Sequence, residues 1–236
     1  MRVSAAKLIA AVCLFVVTAA FAAERPAVGV AEFKNETQAS WWSSDVGRDL
    51  AGMLTNELAS TGKFRVVERS KLSSVLDEQD LSSSGRISRS TGAQIGKLTG
   101  AKYLVFATVT AFDTKSRGVG GGLSYKGYSL GGRKEDAYLA VDLRVVDTTT
   151  GEVEFVRTIE GRAASYGVHG SGYRGGLGGS LGKYENTPTG KAIRAAVMEI
   201  TDYLGCAMVD KDSCMDEYNA KEKSRRDKTK KSIKLD

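Results

Sequence analysis

The sequence predicts a mixed α/β (α+β) domain. Three observations point there. In the first half, short apolar runs of strand length alternate with apolar residues at helical spacing. In the second half, two alternating runs are joined by turn residues. Two glycine-rich segments lie on either side of that pair of runs.

Each element follows from local chemistry. Residues 27–33 are short and apolar, a first strand. The polar loop 34–44 holds Trp41 and Trp42. Val46, Leu50, Met53, Leu54 and Leu58 then share one helical face, and Gly62 closes that helix. Residues 63–67 alternate as a strand. Ser70 is placed to cap a second helix carrying Leu72, Val75 and Leu76. A short third helix is expected over 91–98, ended by Gly100. Residues 103–109 are almost continuously apolar, as in a buried strand. Residues 138–146 and 153–157 alternate, and Asp147 to Gly151 between them is turn chemistry, so they pair as a hairpin. Thr187 and Pro188 open a last helix as N-cap and first-turn residue. Ile193, Val197, Ile200 and Leu204 give its buried face, and Gly205 its end.

The N-terminus reads as a targeting segment. Arg2 and Lys7 precede the apolar run 8–17, and Ala20-Phe21-Ala22 supplies the small-residue pattern of a signal-peptide cleavage site. A membrane anchor is the other reading, but the run falls short of the ~20 apolar residues a spanning helix needs. The expected organisation is a signal peptide over 1–22, a folded domain over 23–205 and a charged tail over 206–236. No cysteine stands at the cleavage point, so a lipid-anchored form is not expected. Cys206 and Cys214 stay in the exported chain. In an oxidising compartment they read as a disulfide stapling a helix end to the segment after it, or else as two free thiols. The run from Lys221 onward is charged and reads as a mobile, solubilising tail. It could also meet anionic lipid or nucleic acid, but an exported chain rarely meets nucleic acid, so no nucleic-acid partner is expected.

Composition removes several function classes. The 236 residues include 27 Gly, 2 Pro and 1 His. One histidine excludes a multi-histidine metal site and makes Ser–His or Cys–His catalysis a poor fit. His169 sits among glycines and belongs to no ligand set. Collagen needs a strict triplet period and proline, and both are lacking. The cluster at Gly118 and Gly120 to Gly122 is followed by no helix and no Gly-Lys-Ser/Thr, so it is not a phosphate loop. Glu68-Arg69 and Asp77-Glu78 read as solvated helix faces. No nucleophile–base pair, metal set or cofactor site is visible. The chain is expected to be no enzyme and to bind no cofactor.

The glycine segments carry more than flexibility. Residues 118–132 hold seven glycines, together with Leu123, Tyr125, Tyr128 and Leu130. Residues 167–182 hold eight, and Tyr166, Val168, Tyr173, Leu177 and Leu181 lie in or beside them. A transmembrane β-strand needs ~10 residues with alternating faces and aromatic girdles. Candidate hairpins near 112–138 and 164–187 have that size. Flexible surface loops account for the glycine content equally well.

Several stretches are similar to a known family. They are Val66-Val67-Glu68-Arg69-Ser70-Lys71-Leu72, Leu76-Asp77-Glu78-Gln79, the run from Gly96 to Val105, and Val141-Asp142-Leu143-Arg144-Val145-Val146-Asp147-Thr148-Thr149-Thr150-Gly151-Glu152-Val153. In order and spacing they resemble the curli secretion-channel (CsgG/HfaB) family over roughly 28–204. The resemblance implies a periplasmic domain that assembles as a homo-oligomeric ring, a nonamer if like the curli channel, in the outer membrane of a Gram-negative bacterium. Each subunit would give two β-hairpins, at the glycine-rich segments, to one shared barrel. The ring would export unfolded protein subunits or help anchor surface structures with accessory envelope proteins. The family's constriction loop corresponds to the loop holding Asn35, Trp41 and Trp42. Those tryptophans could equally anchor the loop to its own domain. Relatives also include soluble periplasmic activators that keep the core without the hairpins, so a scaffold module is the second implied reading.

Overall fold

The computed structural model describes residues 24–125, 128–168 and 186–233. The expected signal peptide, and most of the expected second hairpin including Tyr173, Leu177 and Leu181, lie outside them, as does His169. Six strands form one sheet: β1 (Ala27–Val30), β2 (Lys34–Asn35), β3 (Arg65–Val67), β4 (Tyr103–Tyr125), β5 (Tyr128–Asp147) and β6 (Val153–Val168). The order is β3-β1-β4-β5-β6, with β2 also on β4. β3, β1 and β4 run parallel, joined by crossovers, whereas β4, β5 and β6 are antiparallel neighbours.

One face of the sheet is covered by α1 (Val46–Ser60) and α3 (Pro188–Leu204). Val46, Leu50, Leu54 and Leu58 of α1 meet Val105, Ala107 and Val109 of β4 and Leu139, Val141, Leu143 and Val145 of β5 in one core with Ile193, Val197, Ile200 and Leu204 of α3. Thr187 caps α3 by accepting the Gly190 N–H at 3.2 Å. Among the described residues, no helix packs on the opposite sheet face. Phe106, Val153 and Val156 stay exposed there.

A one-residue bulge shapes the sheet where it leaves the core. Val109 pairs with Val141, but Ala111 pairs with Ala140, which leaves Thr110 extra on β4. The extra residue resets the two-residue alternation. Phe112 therefore returns to the core side opposite Leu139, in phase with Val105, Ala107 and Val109.

Several expectations are corrected. Residues 91–98 form turns and bends, not a helix. Gly92 and Gly96 interrupt the pattern, and Gly96 takes φ +77°. Helix α2 (Leu72–Ser83) exists, but Lys71, not Ser70, is its N-cap residue, and Glu68 Oε1 accepts the Lys71 N–H at 2.9 Å. Val75 and Leu76 are exposed, and Gln79 is the helix's one buried residue. Helix α3 ends at Leu204 with Gly205 as its C-cap residue, as expected, but the backbone there stays helical. The chain continues as a π-helical turn over Gly205–Asp210, in which Cys206, Ala207 and Met208 are buried, and stops at Lys211, whose φ is 53°.

The run expected to be a mobile tail is helical. Helix α4 (Cys214–Ser232) has no apolar face and buries no residue of its own. It is fastened at its start. Arg157 of β6 donates to Tyr218 O at 3.1 Å and to Asn219 Oδ1 at 3.0 Å, and its guanidinium lies 5.0 Å from the centre of the Tyr203 ring. Lys221 Nζ donates to Glu199 Oε1 at 3.0 Å. Cys206 and Cys214 are joined by a disulfide with Cα atoms 6.0 Å apart, which ties the π-turn to the first residue of α4. Helix α4 thus lies beside β6, an edge strand of the sheet among the described residues.

Candidate functional site

The loop after β2 is built around Asn35. Its Oδ1 accepts from Thr37 N at 2.9 Å and Thr37 Oγ1 at 2.7 Å, while its Nδ2 donates to Thr37 O at 3.1 Å. Asn35 is therefore spent on folding its own loop. Trp41 is only 4% exposed and packs edge-on against Trp42 and Phe112, each at 5.4 Å between ring centres. It anchors the loop to the domain, one of the two roles its sequence allowed. Trp42 is half-buried beside it. The loop's outward positions are Glu36, Gln38 and Ser40, which alternate with the inward Asn35, Thr37, Ala39 and Trp41. Sequence reading fixed on the aromatic residues and passed over these polar ones, although the two-residue alternation was there to find them.

The first glycine-rich segment is a continuous extension of β4 and β5. Pairing runs from Tyr103 opposite Asp147 out to Tyr125 opposite Tyr128. A second irregularity lies between Val119 and Leu123: Val119 pairs with Gly132 and Leu123 with Leu130, so two residues of the triple-glycine run are extra. Beyond it, Leu123 is opposite Leu130 and Tyr125 opposite Tyr128, with the Ser124–Ser129 pair between them. Along β4 Leu123 and Tyr125 thus alternate with Ser124, and along β5 Tyr128 and Leu130 alternate with Ser129. Tyr166 and Val168 end β6, with Tyr166 opposite Lys134 and Val168 opposite Gly132.

The helical layer stops short of these strands. A Cβ added to Gly161 would collide with the Ala192 carbonyl and come within 2.9 Å of Ala196 Cβ, so α3 meets the sheet at that level. Helix α3 begins four residues before Ala192, roughly 6 Å further along, the rise of about two strand residues. Cover therefore ends near Ala163, which pairs with Ala137, which in turn pairs with Thr114. Past that line β4 continues for eleven residues, and β5 begins nine residues before it. That overhang is roughly 30–36 Å of paired strand.

Charged and aromatic residues gather at the boundary on the uncovered face. Lys115 pairs with Asp113 at 3.0 Å and Lys134 with Asp136 at 3.2 Å. Tyr138 donates to Glu160 Oε1 at 3.0 Å, and Arg162 lies 5.0 Å from the centre of its ring while holding Glu160 Oε2 at 2.8 Å. Burial, with the hydrogen bond to Glu160, raises the Tyr138 pKa above its ordinary value. Among the described residues, Cys206, Asp212 and Cys214 are the one grouping with metal-ligand types in reach, and its two sulfurs are already bonded to each other. No helix of the described residues is long and apolar enough to cross a membrane, which leaves β-strands unaddressed.

Comparison with known proteins places this architecture. The family model of the curli production assembly/transport component CsgG matches residues 10–233. The chain belongs to the CsgG family. CsgG-family relatives from Salmonella typhimurium (strain LT2) and Salmonella typhi, both described as curli production assembly/transport components, are 24% identical over 168 residues. The match covers 67% of this chain and 61% of each relative, so the chain spans about three fifths of the curated relatives it matches. A solved structure of a hypothetical protein from Chlamydia trachomatis is 15% identical, covering 78% of this chain and 97% of that one, with a TM-score of 0.43. A PelC dodecamer from Paraburkholderia phytofirmans is 15% identical, covering 78% and 89%, with a TM-score of 0.35. The CsgG-family relatives are named for transport and assembly rather than for catalysis.

Proposed function

We propose that this CsgG-family chain is a non-enzymatic subunit of an outer-membrane channel ring that exports or anchors curli-like extracellular protein subunits. The observation that carries the reading is the overhang of β4 and β5. Its nine to eleven residues past the helical layer match the ~10 residues a tilted strand needs to cross hydrocarbon. A lone hairpin would leave unpaired backbone groups along both edges in lipid, so it can insert only when neighbouring subunits close a barrel. That requirement makes a homo-oligomer part of the proposal, with nine copies if the ring follows the curli channel. The second candidate hairpin, 164–187, takes in the end of β6 with Tyr166 and Val168 and, outside the described residues, Tyr173, Leu177 and Leu181.

In such a ring the loop after β2 sets the constriction. Buried Trp41 holds the loop rigid, and half-buried Trp42 flanks it. The exposed Glu36, Gln38 and Ser40 present polar, hydrogen-bonding groups to a passing unfolded chain. Residues 1–22 direct the chain across the inner membrane, and periplasm or outer membrane is its destination. An oxidising compartment agrees with a bonded Cys206–Cys214 pair.

The test is fractionation. A channel subunit is recovered from outer membranes as a heat-sensitive oligomer and gives step conductance in planar bilayers. Recovery as a monomer in the soluble periplasm, with no conductance, would overturn the proposal. A second reading, a periplasmic scaffold binding an envelope protein, draws on the helix-free sheet face with exposed Phe106, Val153 and Val156. Extraction without detergent, with protease cutting both glycine-rich segments, would favour it.

A further inference from the structure

Helix α4 climbs beside β6 toward the overhanging strands. Tyr218 lies against Tyr203, at the level of Arg157. Further on, a groove between the two elements is lined by Arg157, Glu160 and Arg162 on one side and by Lys221, Arg225 and Lys228 on the other. The heights agree. From Arg157 to Arg162 the strand rises roughly 16 Å, and from Tyr218 to Thr229 the helix rises roughly 16 Å. Ser232, the last residue of α4, is then about 21 Å above Tyr218. That is level with Ala163 and Ala164, where the helical layer ends and the strands leave the domain.

The charge of α4 is uneven along this climb. Its first half is compensated: Lys221 pairs with Glu199 at 3.0 Å and with Glu217 at 3.1 Å, and Arg225 pairs with Glu222 at 2.7 Å. Beyond Arg225, Arg226, Lys228, Lys230 and Lys231 are all exposed, against one acid, Asp227. Lys228, Lys230 and Lys231 make no ion pair among the described residues. The negative end of a helix dipole favours cations in the last turn. That accounts for Lys230 and Lys231 but not for the basic run beginning a turn earlier.

We propose that the basic C-terminal end of α4 docks on an anionic phospholipid surface at the base of the overhanging strands. The inference rests on reading those strands as membrane hairpins, because that reading puts the bilayer boundary at the height of Lys228 to Lys231. The sheet at the same height carries Lys115, Lys134 and Arg162 around Tyr138, each paired with a carboxylate (Asp113, Asp136 and Glu160), so the sheet is charge-balanced there and the uncompensated positive charge is that of α4. Helix α4 has no apolar stripe, so it lies on headgroups without inserting. Anionic lipid, rather than an acidic protein, is the occupant, because the charged end is flush with the point where paired strands emerge.

Full-length protein is mixed with vesicles of phosphatidylcholine alone, or of phosphatidylcholine and phosphatidylglycerol in equal parts, and sedimented before and after a high-salt wash. The wild type is expected to show a phosphatidylglycerol-dependent fraction that salt releases. Each basic residue near an anionic surface contributes about a fivefold gain in partition coefficient, so Lys228→Gln, Lys230→Gln and Lys231→Gln together lower the phosphatidylglycerol-dependent partition coefficient on the order of a hundredfold. The matching triple Lys→Arg variant retains it, which separates charge from folding. An unchanged phosphatidylglycerol-dependent fraction in the Gln variant overturns the inference. The salt-resistant fraction and bilayer conductance report the hairpins separately. If both are absent while the lysine-dependent fraction persists, the channel reading fails and the lipid site stands.

Discussion

Gly161 of β6 and Ala196 of α3 approach so closely that a Cβ on the glycine would lie 2.9 Å from the alanine Cβ, with the Ala192 carbonyl closer still. Helix α3 can lie flat on the sheet only because this strand position has no side chain. Gly161→Ala must push the helix away or bend the strand. It is expected to cost about 1–3 kcal/mol, the usual penalty of overpacking. Urea unfolding followed by circular dichroism checks it, and a variant as stable as wild type would show that α3 sits further out.

Trp41 gives a prediction with two arms. It is buried against Phe112 and Trp42, and its indole N–H is buried without a partner among the described residues. Trp41→Ala empties that volume and is expected to cost about 3–5 kcal/mol. Trp41→Phe keeps an aromatic ring and discards the unsatisfied donor, so it should cost under about 1.5 kcal/mol. Equal losses from both variants would mean that the N–H is in fact bonded.

The Cys206–Cys214 disulfide closes a short loop around the π-helical turn. Restricting a loop of that length in the unfolded chain is worth about 2–3 kcal/mol in the chain-entropy account. Reduction, or the double Ser variant, is expected to lower the melting temperature by several degrees. Because α4 starts at Cys214, its amides should exchange faster with deuterium in the same variant.

Tyr218 makes stability sensitive to alkali. Burial, then the nearby Glu199 and Asp202 carboxylates, push its pKa up from 10.0 to about 12. The folded state therefore keeps the phenol proton over a range in which the unfolded chain has lost it. Its contribution to stability is complete below the ordinary pKa and disappears as pH rises from there through about 12. Tyr218→Phe cannot ionise, so its stability should fall less steeply across that window in denaturation series at matched pH. Parallel curves for the two proteins would exclude Tyr218 as the titrating group.

How far the sequence reached can be traced residue by residue. Helices α1 and α3 were legible because Val46, Leu50, Leu54 and Leu58, and Ile193, Val197, Ile200 and Leu204, repeat at helical spacing and end up in the core. The inner parts of β4 to β6 were legible by alternation. The outward run of β4 and β5 was legible from its residues only as one of two alternatives, hairpin or flexible loop, since Gly118, Gly120, Gly121 and Gly122 carry no side chains to set a period; the family resemblance is what pointed to the hairpin. Helix α4 was illegible for the opposite reason. It has charge but no apolar face, and it is held by Arg157, which lies some sixty residues earlier in the chain. Trp41 could be read as pore residue or anchor until Phe112 supplied the packing partner that local sequence cannot name.

The face assignment of the first hairpin yields the last prediction. In the proposed barrel a two-residue period would set Leu130 on one face with Leu123, Tyr125 and Tyr128, and Ser129, one residue away, on the other. If the overhang crosses a bilayer in a closed barrel, one face meets lipid and the other the lumen. Single variants Leu130→Cys and Ser129→Cys, made in the signal-cleaved chain, can carry an environment-sensitive fluorophore. In vesicles containing brominated lipid, the probe at position 130 should be strongly quenched and the probe at 129 spared. Water-soluble iodide added from the lumenal side should reverse that order. Equal quenching at both positions would mean that the ribbon lies in solution or has slipped by one residue, since a slip of one exchanges the two faces completely.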